Sequence, residues 1–313
     1  MTPWTVSDIP SQIGRSAIVT GTGGLGFETA LALATSGCEV ILAGRNPDKG
    51  AAAIAAIRRK VPNASLHFEL LDLANFGSIR AFGERISARR DSLNILINNA
   101  GVMVPPQRQS TVDGFELQLG TNYLGHFLLT QQILPLLRNG KTPRVVTLSS
   151  IAARNGQINF DDINAQASYN PMRVYSQSKL ACLMFAVELQ RKSEINHWGI
   201  SSIAAHPGIS RTDLLHNAPG RRSFIGITRS ALWFLFQPAA QGALSTLFAA
   251  TSQSAKPGGY YGPDKLGETR GFPTEAMMPP HAMDIHASER LWNVSEELIS
   301  MSALKYTSML KGN

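Results

Sequence analysis

Tyr175 and Lys179 stand four positions apart in Tyr175-Ser-Gln-Ser-Lys179. On a helix this spacing stacks both side chains on one face. A free phenol titrates near ~10 and is a poor base at neutral pH. An ammonium beside it favours phenolate and brings the group into range for general acid–base work. Far upstream lies Thr20-Gly21-Thr22-Gly23-Gly24-Leu25-Gly26. Read as Gly21-x-Gly23-x-x-Gly26, it matches the general dinucleotide fingerprint. Gly21 allows a sharp turn, the next glycines let backbone approach phosphate, and the following helix N-terminus offers free N–H groups and a positive dipole end. A lone Tyr-x-x-x-Lys is nearly always an ordinary helix pair, and a lone glycine turn can be an empty strand-to-helix corner. Together, in this order, they describe a proton carrier paired with a hydride-carrying nicotinamide dinucleotide.

The end of the second strand-like run sets the cofactor type. An NAD site places an acidic residue there to bind the ribose hydroxyls. This chain has Gly44-Arg45-Asn46. Arginine cannot accept from a hydroxyl but pairs well with a 2′-phosphate, so the expected cofactor is NADP(H). Asp72-Leu73 follows the third strand, where the carboxylate could reach an adenine amino group. Asn98-Asn99-Ala100-Gly101 follows the fourth, its small residues suited to backbone contact with a ribose.

These residues need a scaffold, and the chain supplies the pattern of one. Strand-like runs at Ser16–Thr20, Cys38–Ala43, Ser65–Leu70, Leu93–Ile97, Arg144–Leu148, Ile200–Ala205 and Gly258–Gly262 alternate with helical stretches, among them Pro47–Lys60 and one from about His286 to Ser300. Such alternation is the mark of βαβ units and a parallel sheet. The expected fold is one α/β Rossmann-type doubly wound domain over residues 1–313. Segments 209–237 and 263–285 break the rhythm after predicted strand ends, where open α/β sheets bind ligands, and are expected to cover the substrate. Leu214, Leu215, Phe224, Ile225, Ile227, Leu232-Trp233-Phe234 and Met277-Met278 would give an apolar cover.

Composition narrows the function classes. Of 313 residues, 43% are apolar and 16% charged, enough for a large core. The formal charge is +7, yet the longest basic run is Arg58-Arg59-Lys60 on an expected helix. That is too sparse for a nucleic-acid surface and mildly favourable to an anionic cofactor. Two cysteines, Cys38 and Cys182, read as buried thiols in a reducing compartment. The first ten residues lack the charged and apolar regions of a signal peptide. The run Ala231–Phe236 is too short to span a bilayer. A cytoplasmic location is expected on these grounds. His281 and His286 lack further ligands at metal-site spacing, so no metal is expected.

The full set of motifs resembles the short-chain dehydrogenase/reductase family. It comprises Thr20-Gly21…Gly24-Leu25-Gly26, Asp72, Asn98-Asn-Ala-Gly101, Asn122, Ser149-Ser150, Tyr175…Lys179 and Pro207-Gly208…Thr212, in family order. Gly120-Thr-Asn-Tyr-Leu-Gly-His-Phe-Leu-Leu-Thr130 and Asn98-Asn-Ala-Gly-Val-Met103 are similar to the retinol dehydrogenase and protochlorophyllide reductase branch. The resemblance implies a seven-stranded sheet. It also implies Tyr175 as general acid/base, Ser150 rather than Ser149 as donor to the substrate oxygen, and Asn122 as mid-helix anchor of a water chain to Lys179. Lys179 would also bind the nicotinamide ribose, and Pro207, Gly208, Ile209 and Thr212 would contact the carboxamide. The glycine turn departs from the family by being one residue short. Gly23 is expected to bridge the gap, with a positive φ, and cofactor binding to be retained.

Two function classes follow. The first is an NADP(H)-dependent oxidoreductase acting on a lipophilic alcohol/carbonyl pair. The second is a non-enzymatic NADP(H)-binding sensor on the same fold. The Asn122/Ser150/Tyr175/Lys179 set favours the enzyme, and only the short turn favours the sensor. The expected partner is a small-molecule substrate, with a homo-oligomer left open.

Overall fold

A computed structural model describes residues 2–210 and 237–311, with side chains to Ser302. Eight strands form one sheet: β1 (Ser16–Thr20), β2 (Glu39–Gly44), β3 (Leu66–Leu70), β4 (Ile95–Asn98), β5 (Arg144–Leu148), β6 (Ser201–Ala205), β7 (Tyr260–Lys265) and β8 (Arg270–Glu275). Their order is β3-β2-β1-β4-β5-β6-β7-β8. Every pairing is parallel except β7 with β8. The chain reverses its winding between β1 and β4, which opens a crevice beyond their carboxyl ends. The glycine turn leaves β1 there and Asn99-Ala100-Gly101 leaves β4.

The expected seven strands are present, and β8 is an eighth. Its sequence, Arg270-Gly-Phe-Pro-Thr-Glu275, carries Gly and Pro and little alternation. An edge strand tolerates proline because one side needs no ladder donor, and here Pro273 lies opposite Pro263. Part of the segment 263–285, expected to cover the substrate, is therefore a hairpin.

Helices flank both faces. The first, α1, spans Gly24–Thr35, so the last glycines of the motif form its first turn. Helix α2 (Pro47–Lys60) is capped by Asn46, whose side chain accepts from Lys49 N–H, with Pro47 in the first turn. Helix α3 (Phe76–Ser87) is capped by Asn75. A π-type turn, Leu119–Leu124, leads into α4 (Gly125–Arg138). Helix α5 (Pro171–Ile195) is capped by Asn170 and carries Tyr175 and Lys179. Then follow α6 (Ala239–Gly242), α7 (Leu244–Thr251) and α8 (Ile285–Lys311).

Alternate strand residues feed opposite cores. Ile18, Ile41 and Leu96 join α3, α4, α5 and α8 in one. Ala17, Val19, Val40 and Ile97 join α1, α2 and α7 in the other. Helix α5 is held from behind by aromatic contacts. The Trp292 ring lies 4.8 Å from Phe127 and stacks on Phe185 at 5.8 Å. This packing fixes the axis of α5 and hence the direction in which Tyr175 points.

Candidate active site

Beyond the carboxyl ends of β4, β5 and β6 lies a cavity of about 450 Å³. Ser150, Tyr175 and Lys179 line it together, as do Pro207, Gly208 and Ile209. The rest of the wall is largely apolar, with Leu25, Met103, Leu148, Ile151 and Met172. Tyr175 is 7% exposed and Lys179 6%, so both are withdrawn from bulk water. Lys179 Nζ donates to the Leu148 carbonyl at 3.1 Å, which holds the ammonium at the cavity floor.

The two serines are separated by their bonds. Ser149 Oγ donates to the Lys179 carbonyl at 2.8 Å and is 3% exposed. Ser150 caps the short 3-10 helix Ile151–Asn155 by accepting from Ala152 N–H at 3.2 Å. A hydroxyl used as acceptor keeps its O–H for another partner. Ser150 therefore retains a donor on the cavity wall, while Ser149 spends its own on the backbone.

Asn122 sits in the π-type turn rather than in a regular helix. Its Oδ1 accepts from Val102 N–H at 2.8 Å, and its Nδ2 donates to the Val102 carbonyl and to Ser178 Oγ, each at 3.0 Å. Its side chain thus ties the Gly101–Val102 segment to α5. Its carbonyl receives His126 Nδ1 at 2.9 Å and the Cys182 thiol at 3.1 Å. His126 is a buried neighbour of the site to which its motif assigns no role. Thr20 Oγ1 accepts from Asn99 and Ala100 N–H and lies 3.2 Å from the Ile97 carbonyl and 2.9 Å from His126 Nε2; because the Asn122 carbonyl at Nδ1 can only accept, Nε2 is the acceptor nitrogen of the ring. Nδ1 then carries the imidazole proton. The ring is neutral and joins the end of β1 to the Asn122 turn.

Burial pushes the His126 pKa down to about 4, opposed by the Asn122 carbonyl and reinforced by the Lys179 charge. The unfolded chain therefore binds this proton more readily. The neutral ring costs nothing above the unfolded value near ~6.5, and stability is lost as pH falls from there towards 4. The expected loss from this group is roughly 3 kcal/mol, measurable as a falling denaturation midpoint between pH 7 and pH 4 that His126→Gln flattens.

A second cavity, about 290 Å³, lies at the ends of β1, β2 and β3. Arg45, Asp72, Leu73 and Ala100 line it with Gly21 and Thr22, and Gly101 borders both cavities. Lys49 lines it as well. It lies four residues after Arg45, in the first turn of α2, and that placement was the missed signal. Asp72 Oδ1 accepts from Ala74 N–H at 2.9 Å, which orients the carboxylate at the rim.

Gly101 is where close approach is required. A Cβ there would lie 2.9 Å from Asn122 Oδ1 and 3.7 Å from Lys179 Nζ. Gly101→Ala is expected to leave the fold intact and to lower turnover by at least about tenfold, since small misplacements of reacting groups are costly. Steady-state rates alongside thermal unfolding check this.

The glycine turn differs from expectation. Gly23 is extended, with φ −127°, and serves as the N-cap position of α1. The left-handed positions are Gly21, φ +94°, and Gly24, φ +51°. The turn is closed by packing: a Cβ on Gly26 would lie 2.4 Å from the Gly21 carbonyl. The shorter loop is thus accommodated on either side of Gly23, and the expected strain at Gly23 does not occur.

Other expected residues are placed as follows. The Asn98 side chain is buried inside the sheet, donating to Thr130 Oγ1 at 3.2 Å, and lines neither cavity. Its neighbour Asn99 lines the larger cavity, with Nδ2 donating to the Thr20 carbonyl at 2.7 Å. Backbone contact with a ribose is the expectation for Asn98-Asn99-Ala100-Gly101, and of these four residues Asn99, Ala100 and Gly101 border the cavities. Met277 and Met278 line neither cavity; Thr269, in the β7–β8 loop, is the residue of segment 263–285 that reaches the larger one. Thr212, Leu214, Leu215, Phe224, Ile225, Ile227 and Leu232–Phe234 lie outside the described residues.

This arrangement has known counterparts. Residues 15–222 match the short chain dehydrogenase family. The chain belongs to that family. Among curated relatives of this short-chain dehydrogenase, retinol dehydrogenase 12 of Mus musculus is 38% identical over 92% of this chain and 87% of its own. Polyprenol dehydrogenase of Mus musculus is 37% identical over 91% of this chain and 83% of its own. These place the chain in the retinol dehydrogenase branch and support an oxidoreductase acting on alcohol or carbonyl groups. A solved, uncharacterised protein from Mycobacterium paratuberculosis is 36% identical, covers 96% of this chain and 98% of its own, and superposes with a TM-score of 0.79. A short chain dehydrogenase from Shigella flexneri, solved with NADP, is 22% identical, covers 81% of this chain and 98% of its own, and has a TM-score of 0.62. The last comparison speaks to the fold alone. Among the described residues of this dehydrogenase, no helix is long and apolar enough to cross a membrane.

Proposed function

We propose that the protein is an NADP(H)-dependent oxidoreductase that moves a hydride between nicotinamide and a lipophilic alcohol/carbonyl substrate, with Tyr175 as general acid/base. The observation that carries this reading is one cavity wall holding Ser150, Tyr175 and Lys179 among apolar side chains. The adjoining cavity presents Arg45 and Lys49, with no acidic side chain at the end of β2. Two cations there suit a 2′-phosphate and would leave an unphosphorylated ribose without an acceptor. The nicotinamide dinucleotide would lie across Gly101, its adenosine half against Arg45 and Asp72, and supply the hydride.

The chain's own part is to bind, orient and move a proton. Ser150 would donate to the substrate oxygen. Tyr175 would give its phenolic proton to that oxygen during reduction and take it back during oxidation. Lys179 would stabilise the phenolate. Asn122, through Val102 and Ser178, would hold the Gly101–Val102 segment against the helix that carries Lys179. The apolar wall excludes water and favours a substrate of low polarity, as the names of the retinol and polyprenol dehydrogenases suggest for their own substrates. The sensor alternative draws on the short turn alone. Incubation of the protein with NADPH and a panel of apolar aldehydes tests the proposal. Oxidation of NADPH that depends on the aldehyde supports the enzyme, whereas saturable NADPH binding without turnover across the panel supports the sensor.

A further inference from the structure

His206 follows the last residue of β6 and is fully buried. Gly208 N–H donates to its Nδ1 at 3.2 Å, so Nε2 carries the ring proton and gives it to Glu268 Oε2 at 2.8 Å. Arg154 meets the same carboxylate oxygen at 2.6 Å, and Met277 N–H donates to the other at 2.9 Å. The side chains of Arg154 and Glu268 are 24% and 17% exposed. Burial would raise the Glu268 pKa, but His206, Met277 N–H and Arg154 bring it down to about 2. Burial pushes His206 down, which agrees with a neutral ring beside one Arg–Glu pair. The Tyr260 ring packs 5.2 Å from His206 and completes the surroundings, its phenol pushed up by burial.

The three residues come from three walls of the larger cavity. Arg154 belongs to the 3-10 helix that Ser150 caps. His206 precedes Pro207-Gly208-Ile209, which line the cavity. Glu268 lies in the β7–β8 loop beside Thr269, which also lines it. Backbone contacts lock the last two walls together. Ile209 N–H donates to the Thr269 carbonyl at 2.8 Å, and a Cβ on Gly208 would lie 2.3 Å from that oxygen. Leu266, Gly267 and Glu268 are successive left-handed residues, with φ +50°, +65° and +67°. Two of them are not glycine, a strained run that persists only where its surroundings hold it. Gly262 leaves the imidazole its place, since a Cβ there would lie 2.0 Å from Nε2.

We infer that Arg154, Glu268 and His206 form a positioning unit that sets the wall against which the nicotinamide half of the cofactor lies, without touching cofactor or substrate themselves. The inference rests on the cofactor reading above. Its distinguishing consequence is a division between the two halves of the ligand. The adenosine half meets Arg45, Lys49 and Asp72, remote from the unit, and the nicotinamide half meets the Pro207–Ile209 wall that the unit braces.

The test titrates wild type, Glu268→Gln, Arg154→Met and Arg154→Lys with NADPH and, separately, with 2′,5′-ADP, which lacks the nicotinamide half. Thermal unfolding is recorded for each. Glu268→Gln and Arg154→Met are expected to weaken NADPH binding on the order of tenfold, the scale seen when support behind a binding group is lost. Binding of 2′,5′-ADP should change by less than about twofold, and Arg154→Lys should recover most of the NADPH affinity because an ammonium can still meet the carboxylate. Equal losses for both ligands, or none for either, would overturn the unit. Wild type that binds 2′,5′-ADP but gains nothing from the nicotinamide half would overturn it too. Wild type that binds neither ligand would instead sink the cofactor reading, and the unit with it.

Discussion

Tyr175→Phe is expected to lower turnover by at least ~10²-fold, the usual scale for loss of a general acid/base, while NADPH binding is kept. The ring remains, so the packing of a side chain that is 7% exposed remains. Only the phenolic oxygen is removed from the wall it shares with Ser150 and Lys179. Rates with an aldehyde identified from the panel, set beside an NADPH titration of the same variant, check both halves of this expectation. Near-normal turnover would show that another group carries the proton. His206 is an unsuitable replacement, because both of its ring nitrogens are engaged and the ring is buried.

The second large effect concerns cofactor choice. Arg45→Asp should weaken NADPH binding by at least about tenfold, through a lost charge-assisted pairing and a new repulsion. NADH binding should hold or improve, because the new carboxylate can accept from ribose hydroxyls. Lys49 remains in the same cavity, so the variant is expected to keep some preference for the phosphate. Calorimetric titration of wild type and variant with both nucleotides measures the switch. Equal affinity of wild type for NADH and NADPH would remove the basis of the assignment.

Much of the fold was legible because its signals are local. Short β-branched runs and Ala-rich helical stretches alternate at βαβ spacing, and seven strands follow from them. The eighth was hidden because Arg270–Glu275 has edge-strand chemistry, with a proline and a glycine that resemble a loop. The site was legible wherever identity and spacing carry the chemistry, as at Tyr175 and Lys179 or at Arg45. It was not legible where side-chain direction decides. Asn98 and Asn99 are equivalent as letters, yet one turns into the sheet and the other into the cavity. Gly23 looked like the strained member of a shortened turn, and the backbone puts the left-handed positions at Gly21 and Gly24. The Arg154–Glu268–His206 cluster was out of reach, since its members are 62 or more residues apart from Glu268 in sequence and meet only through a hairpin that was itself unseen.

The central claim is hydride transfer from NADPH to an apolar carbonyl compound. Its most direct measurement uses NADPH deuterated at the transferable C4 position, the panel of apolar aldehydes, and mass spectrometry of the alcohols formed. An alcohol one deuterium heavier than its unlabelled counterpart, formed by wild type and reduced at least ~10²-fold in Tyr175→Phe, is the expected result. Bound NADPH that delivers no deuterium to any carbonyl compound in the panel would contradict the account.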